Sequence, residues 1–307
     1  MDFMVNLPIG VDINNLIDDL RNFSWEAADI LLYYFNLMQE SKNKSDFIKN
    51  FKKESPVTLA DLKVHELILN RMCEKYSQID WNYLSEENAK ESLENNFINS
   101  DWLWILDPLD GTKDFIQGTN DYAMHFALNY KARPFLGLVL IPQKNELWIS
   151  NGKKVWCEKR NGVKYNNKPN LTNHESLQSM TLVRSKNHSN QNLKKLIDKI
   201  KFNNVNIMGS IGCKIASIIR GDSDIYISLS LPGKSSPKDW DFAAPEAVLK
   251  AAGGAITNLN NEDLTYSQKN FEQGGIIIAS NNKKNHQEIC LQIRELIKEY
   301  ELYPLDY

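Results

Sequence analysis

Trp104-Ile105-Leu106-Asp107-Pro108-Leu109-Asp110-Gly111-Thr112-Lys113-Asp114-Phe115 runs from an apolar segment straight into two carboxylates three residues apart. The apolar run reads as a buried strand that ends at Asp107. Pro108 fixes its own φ and biases Asp107 towards an extended conformation, while Gly111 can adopt the backbone angles of a sharp turn. Both carboxylates can then face the same way. Two such groups a few ångströms apart do not both stay ionised near neutral pH without a cation, so the spacing predicts a divalent-ion site. Oxygen donors alone, with no His or Cys beside them, favour a hard ion such as Mg²⁺ over zinc. A calcium-loop reading of the stretch fails on spacing. With Asp107 first, Leu109 falls third and Gly118 twelfth, where an EF-hand needs oxygen ligands.

Upstream of this corner the pattern is helical. Ile13, Leu16, Ile17, Leu20, Phe23, Ala27, Ile30, Leu31 and Tyr34 recur at helical spacing and predict an amphipathic helix over 13–38. The lysine-rich stretch 41–53 reads as a loop. Thr58, with Asp61 three residues later, predicts a capping box opening a helix with Val64, Leu67, Ile68 and Met72 on its apolar face. Taken alone, Asp61 is a helix-start carboxylate rather than a catalytic one. Glu86 and Glu87 follow a short apolar piece and, by themselves, read as solvated surface.

Downstream the rhythm changes to strands over 122–130, 135–141, 146–149 and 154–157, separated by turn signals such as Lys131-Ala132-Arg133-Pro134 and Asn151-Gly152. That pattern predicts a meandering antiparallel sheet. The second half alternates strands (180–183, 205–208, 224–229, 255–257, 275–279) with helices (192–200, 213–219, 243–252, 286–299), an α/β rhythm. The loop-like segment 166–176 divides the chain into an N-terminal α+β subdomain, 1–172, with most of the candidate ligands, and a C-terminal α/β subdomain, 173–307. Asp241, within Trp240-Asp241-Phe242-Ala243-Ala244, opens a helix whose Ala243, Ala244, Ala247, Ala251 and Ala252 permit close packing against a neighbour. As a lone feature it is an N-cap.

The 307 residues are 42% hydrophobic and 24% charged with a net charge of −3, a soluble globular balance without the basic footprint that nucleic acid or acidic membrane requires. Cys73, Cys157, Cys213 and Cys290 lie far apart in apolar segments and predict buried thiols in a reducing compartment. Residues 1–20 lack the basic-then-apolar pattern of a leader, and no apolar run has membrane-spanning length, so a cytoplasmic protein is expected.

Four acidic sites therefore stand at element ends. In order and local sequence, Val57-Thr58-Leu59-Ala60-Asp61, Ser85-Glu86-Glu87, Asp107-Pro108-Leu109-Asp110-Gly111-Thr112 and Trp240-Asp241-Phe242-Ala243-Ala244 resemble the inositol monophosphatase superfamily of Mg²⁺-dependent, lithium-sensitive phosphatases, over about 61–279. Lys113-Asp114-Phe115, Val183-Arg184-Ser185-Lys186, Gly209-Ser210, Lys214 and Gly221-Asp222-Ser223-Asp224-Ile225-Tyr226 are most similar to its 3'(2'),5'-bisphosphate nucleotidase branch. Three positions depart from the pattern. Pro245 replaces a common glycine, Lys186 a frequent His, and Ser228 an Arg that would be a natural second-phosphate ligand. Lys214, Arg184 or Lys234 are the candidates to replace that Arg.

The resemblance implies a layered αβαβα sandwich and two or three Mg²⁺ ions. It implies that Asp107 bridges two ions, with Glu86 and the Leu109 carbonyl on one and Asp110 and Asp241 on the other. Asp61 and Thr112 would orient the attacking water, and the backbone N–H groups of Gly111 and Thr112 would bind phosphate oxygens. Arg184, Ser210 and Lys214 would contact substrate, with Lys186 and His188 as further basic candidates. The implied reaction is hydrolysis of the 3'-phosphate of 3'-phosphoadenosine 5'-phosphate to AMP. Inositol monophosphate or a sugar bisphosphate is the alternative substrate. A non-catalytic phosphate or metal sensor is the rival outside the enzymes, disfavoured because every acidic position is present. The expected partner is a small phosphorylated nucleotide, not nucleic acid or membrane, and the family implies a homodimer. His65, His125, His174 and His286 have no metal-like spacing and receive no role.

Overall fold

A computed structural model describes residues 7–51, 56–89, 101–165, 174, 176–187 and 190–305. Helix α1 (Ile13–Glu40) starts at Asp12, whose carboxylate accepts from the backbone N–H groups of Asn14 and Asn15. The stretch expected to be a loop contains a strand, β1 (Ile48–Phe51), paired antiparallel with β2 (Pro56–Thr58). The ribbon's strands are only four and three residues long, and Val57 and Thr58 are buried side by side rather than alternately, so its sequence carries no periodic signal. Thr58 then opens α2 (Leu59–Tyr76) with the expected capping box.

The apolar stripes of α1 and α2, including Leu16, Leu20, Leu31, Val64, Ile68 and Met72, cover one face of a seven-stranded sheet. Its strands run in chain order: β3 (Asn82–Ser85), β4 (Trp102–Asp110), β5 (Ala123–Tyr130), β6 (Arg133–Ile141), β7 (Glu146–Ser150), β8 (Val155–Glu158) and β9 (Lys164–Tyr165). β3 is parallel to β4 and every later pair is antiparallel. β4 is buried on both faces. Trp104 and Leu106 join the α1/α2 core and Leu103 and Ile105 the core on the opposite side, which is why this strand is a continuous apolar run. The β5–β6 turn is tighter than expected: its tip is Lys131-Ala132, both at positive φ, and Arg133 already belongs to β6.

Beyond a short helix, α3 (Thr112–Gln117), and the boundary loop, of which 166–173 lie outside the described residues, a second sheet has the order β11 (Asn204–Met208), β10 (Thr181–Ser185), β12 (Ile225–Ser230), β14 (Gly275–Ser280), β13 (Ala255–Asn258). Helices α4 (Gln191–Ile200) and α7 (Lys283–Glu299) cover its outer face through Leu193, Leu196, Ile289 and Ile293. Between the sheets lie α5 (Ile211–Arg220) and α6 (Asp239–Ala251). Their Ile215, Ile218, Phe242, Ala244 and Val248 share one core with Ile105, Ala127 and Val139 of the first sheet and Val183, Tyr226 and Ile277 of the second. The order of layers is αβαβα.

The alanines of α6 have their neighbour in β6. A Cβ on Gly137 would lie 2.7 Å from the Ala247 Cβ and 2.9 Å from the Ala244 carbonyl oxygen, so helix and sheet touch backbone to backbone there. Gly137→Ala is expected to cost about 1–3 kcal/mol by overpacking, read as a lower denaturant midpoint with an unchanged slope. An unchanged midpoint would show that α6 can retreat from the sheet at no cost. The cysteines divide differently from expectation. Cys157, Cys213 and Cys290 are buried, but Cys73 is exposed because it falls on the solvent side of α2, opposite Val64, Ile68 and Met72. Among the described residues no helix is long and apolar enough to cross a membrane.

Candidate active site

β4 does not stop at Asp107 but continues to Asp110 through a bulge. Asp107 pairs with His125 and Asp110 with Ala123, so three steps along β4 answer two along β5. Pro108 sits inside the bulge, where no ladder N–H is required of it. The extra residue turns Asp107 and Asp110 towards each other. Gly111, at φ 89°, then reverses the chain into α3. The Asp107 Oδ1 accepts from the Leu109 N–H at 3.0 Å, and the Thr112 hydroxyl donates to the Leu109 carbonyl at 2.9 Å.

The first turn of α6 supplies the third carboxylate. Asp241 is not the N-cap: Lys238 is, and Asp241 is the third helical residue, its Oδ2 accepting from the Lys238 N–H at 2.5 Å. The helix starts earlier than its alanine pattern suggested because Asp239 is buried and braced by Gln273 and Ser267 from a neighbouring loop. One carboxylate oxygen each from Asp107, Asp110 and Asp241 lie within 4.8 Å of one another.

Each acid is held from behind. The Asp110 Oδ2 faces the N-terminus of α5, accepting from the Ser210 hydroxyl at 2.7 Å, the Gly212 N–H at 3.2 Å and the Ile211 N–H. The Asp61 Oδ2 accepts from both the N–H and the hydroxyl of Thr58. Burial raises the pKa of Asp107 well above the carboxylate range, and Glu86, Asp110 and Asp241 raise it further. Asp241 is raised for the same reason, with Asp110 as its main repulsive neighbour. Burial pushes Asp61 up to about 8 against the bonds from Thr58, with Glu86 adding to the rise. Glu86 itself opens the 3-10 turn Glu86–Asn88 after β3, half-buried rather than solvated.

A set of converging oxygen donors in which neighbouring negative charges oppose the ionisation of Asp107 and Asp241 is the environment in which a hard divalent cation is favoured, so the residues present fit such an ion. Among the described residues the three clustered carboxylates have one ion-pair partner, His125, at 3.3 Å from Asp110, and burial lowers its pKa. His125 is the residue the sequence argument passed over. Its signal was a lone polar side chain in the otherwise apolar strand Ala123-Met124-His125-Phe126-Ala127.

The residues expected to contact substrate are placed unequally. The Ser210 hydroxyl is committed to Asp110 and to the Cys213 N–H. Lys214 is buried, donates to the Gly209 carbonyl at 2.7 Å and lies over the Tyr226 ring, and burial lowers its pKa against the pull of Asp110. Arg184 falls by strand alternation on the face of Leu182 and the outer helices, and among the described residues no hydrogen bond or ion pair joins it to the acidic cluster. Lys186 is paired with Asp114 at 3.3 Å, and Asn187 donates to the same carboxylate at 2.6 Å. Asp114 therefore links α3 to the β10 loop. His188 lies outside the described residues. At Ser228 the expected cation is replaced by a hydroxyl hydrogen-bonded to Tyr226, whose burial pushes its pKa up to about 12.

The layered fold and its carboxylate corner define a metal-dependent phosphatase. The chain belongs to the inositol monophosphatase family, whose model matches residues 14–298. A 3'(2'),5'-bisphosphate nucleotidase CysQ from Buchnera aphidicola is 30% identical over 229 residues, 73% of this chain and 80% of the relative. The protein of the same name from Escherichia coli K12 is 27% identical over 70% of this chain and 81% of its own length. Among solved structures, inositol monophosphatase II from Staphylococcus aureus superposes with a TM-score of 0.70 at 19% identity, covering 95% of this chain and 99% of that one.

Proposed function

We propose that this chain is a Mg²⁺-dependent phosphomonoesterase that acts in the cytoplasm and removes the 3'-phosphate of 3'-phosphoadenosine 5'-phosphate to give AMP. The observation that carries the reading is the convergence of the buried Asp107 with the partly buried Asp110 and Asp241, all oxygen donors, drawn from both halves of the chain. Its nucleotide part is supported by the relatives named 3'(2'),5'-bisphosphate nucleotidase. The halves themselves, 1–172 and 173–307, belong to the proposal as subdomains that meet at this site, and the homodimer implied by the family goes with it.

Asp107, Glu86 and the Leu109 carbonyl would hold one ion, and Asp107, Asp110 and Asp241 the second. When bound, the ions supply Lewis-acid chemistry, acidifying a water and neutralising charge on the phosphate and the leaving oxygen. The protein's own groups do the rest. Because the Thr112 hydroxyl donates its one hydrogen bond to the Leu109 carbonyl, it is left to accept from a water. Asp61, with Oδ2 held by Thr58, has Oδ1 left to accept a second bond, and the two together would orient the nucleophile. The N–H groups of Gly111 and Thr112 would hold phosphate oxygens, and Lys214 would supply a fixed positive charge. Ser210 would serve the substrate chiefly by fixing Asp110, and Arg184 is the outermost of the proposed contacts.

Ser228 favours one second reading, an inositol-monophosphatase-like activity, because a strand that lacks the cation has less to offer a second phosphate. Substrate profiling with Mg²⁺ separates the two. The bisphosphate nucleotide is expected to exceed inositol 1-phosphate by at least about tenfold in kcat/KM, about 1.4 kcal/mol of transition-state binding. The reverse order would remove the nucleotide assignment and keep the phosphatase.

A further inference from the structure

We propose that His125 is a positioning residue for the metal pair, a buried wedge that fixes the separation of Asp110 from Asp241. This inference deepens the two-ion phosphatase reading and rests on it. His125 stands opposite Asp107 in the β4–β5 register, so the two side chains leave the sheet on the same face. It is 1% exposed. Its Nε2 lies 3.3 Å from the Asp110 Oδ2 without a hydrogen-bond partner, and its Nδ1 donates to the Trp240 carbonyl at 3.3 Å. Trp240 immediately precedes Asp241. One imidazole therefore touches the bulged end of β4 and the first turn of α6.

The third side of the ring is closed by α5. A Cβ on Gly212 would lie 2.3 Å from the His125 Nε2 and 2.8 Å from a Val139 methyl, so the first turn of α5 can approach Asp110 only because residue 212 has no side chain. Asp110 and Asp241 come from different halves of the chain, and no hydrogen bond joins them directly among the described residues. Their separation is set by what lies between the elements that carry them. His125 occupies that place, and a shift of either contact would spread or compress the pair.

The test uses the full-length protein and Mn²⁺ binding measured by calorimetry without substrate, alongside the melting temperature of the metal-free protein. His125→Gln extends an amide to the place of Nε2 and restores the reach to Asp110. His125→Asn places one near Nδ1 and restores only the contact to Trp240. We expect His125→Gln to bind Mn²⁺ within about threefold of the unaltered protein and His125→Asn about tenfold or more weaker, the scale on which partners behind metal ligands act. Gly212→Ala, which displaces the ring, should weaken Mn²⁺ binding in the same direction, with kcat at saturating metal falling less than the affinity. Equal Mn²⁺ affinities for the Gln and Asn variants, with melting temperatures alone changed, would reduce His125 to packing and overturn the proposal. An unaltered protein that binds Mn²⁺ but hydrolyses no phosphomonoester would instead remove the phosphatase reading and leave the wedge standing.

Discussion

Asp107→Asn is expected to cut turnover by about a thousandfold, about 4 kcal/mol of transition-state stabilisation, while the fold persists. Asparagine has the shape of aspartate, and its carbonyl oxygen can still accept from the Leu109 N–H that now bonds Asp107 at 3.0 Å. What it lacks is the charge that both ions would share. The same loss should raise the melting temperature of the metal-free protein near neutral pH. Glu86, Asp110 and Asp241 all oppose ionisation of Asp107, and a neutral amide relieves that repulsion. A steady-state assay paired with thermal unfolding in chelator checks both halves. Turnover within tenfold of the unaltered enzyme would exclude Asp107 as the shared ligand.

Removing divalent metal should abolish hydrolysis and change the way stability depends on pH. Asp61 is raised by burial to about 8 from an ordinary 3.8, and Asp107 and Asp241 are raised by burial and by the charges of Glu86 and Asp110. A carboxyl group with its folded pKa above its unfolded one contributes stability below the unfolded value, and that contribution is lost as pH rises through the folded value. For Asp61 the window runs from about pH 4 to pH 8. Each such group costs up to about 1.4 kcal/mol per pH unit within its window. The metal-free protein should therefore lose melting temperature from pH 5 to pH 8, and Mg²⁺ should restore most at the alkaline end, since the ion needs the deprotonated ligands. Unfolding scans with chelator and with Mg²⁺ across that range test this. A metal-free curve that rises with pH would mean that the acids are paired by groups of the protein rather than by a cation.

Much of this architecture is legible in the chain because it is local. The capping box at Thr58 and Asp61, the helical stripe from Ile13 and the apolar run before Asp107 each depend on residues within one turn or one strand. The acidic corner was legible for the same reason, since Pro108 and Gly111 limit what the backbone between Asp107 and Asp110 can do. Boundaries were less so. The bulge that carries β4 on to Asp110 is a relation between two strands, and the earlier start of α6 depends on Gln273 and Ser267 closing over Asp239 from elsewhere in the sequence.

Residue types, order and spacing in this chain establish the elements, the kind of ion its acids suit and the family to which it belongs. They do so because backbone preference and ligand chemistry are properties of short segments. The meeting of Asp241 with Asp107 and Asp110, the commitment of Ser210 to Asp110 and the place of His125 among them follow from two sheets closing on α5 and α6. Those contacts join residues far apart in sequence, His125 and Trp240 by 115 positions, and arise when a shared apolar core fixes the layers against one another.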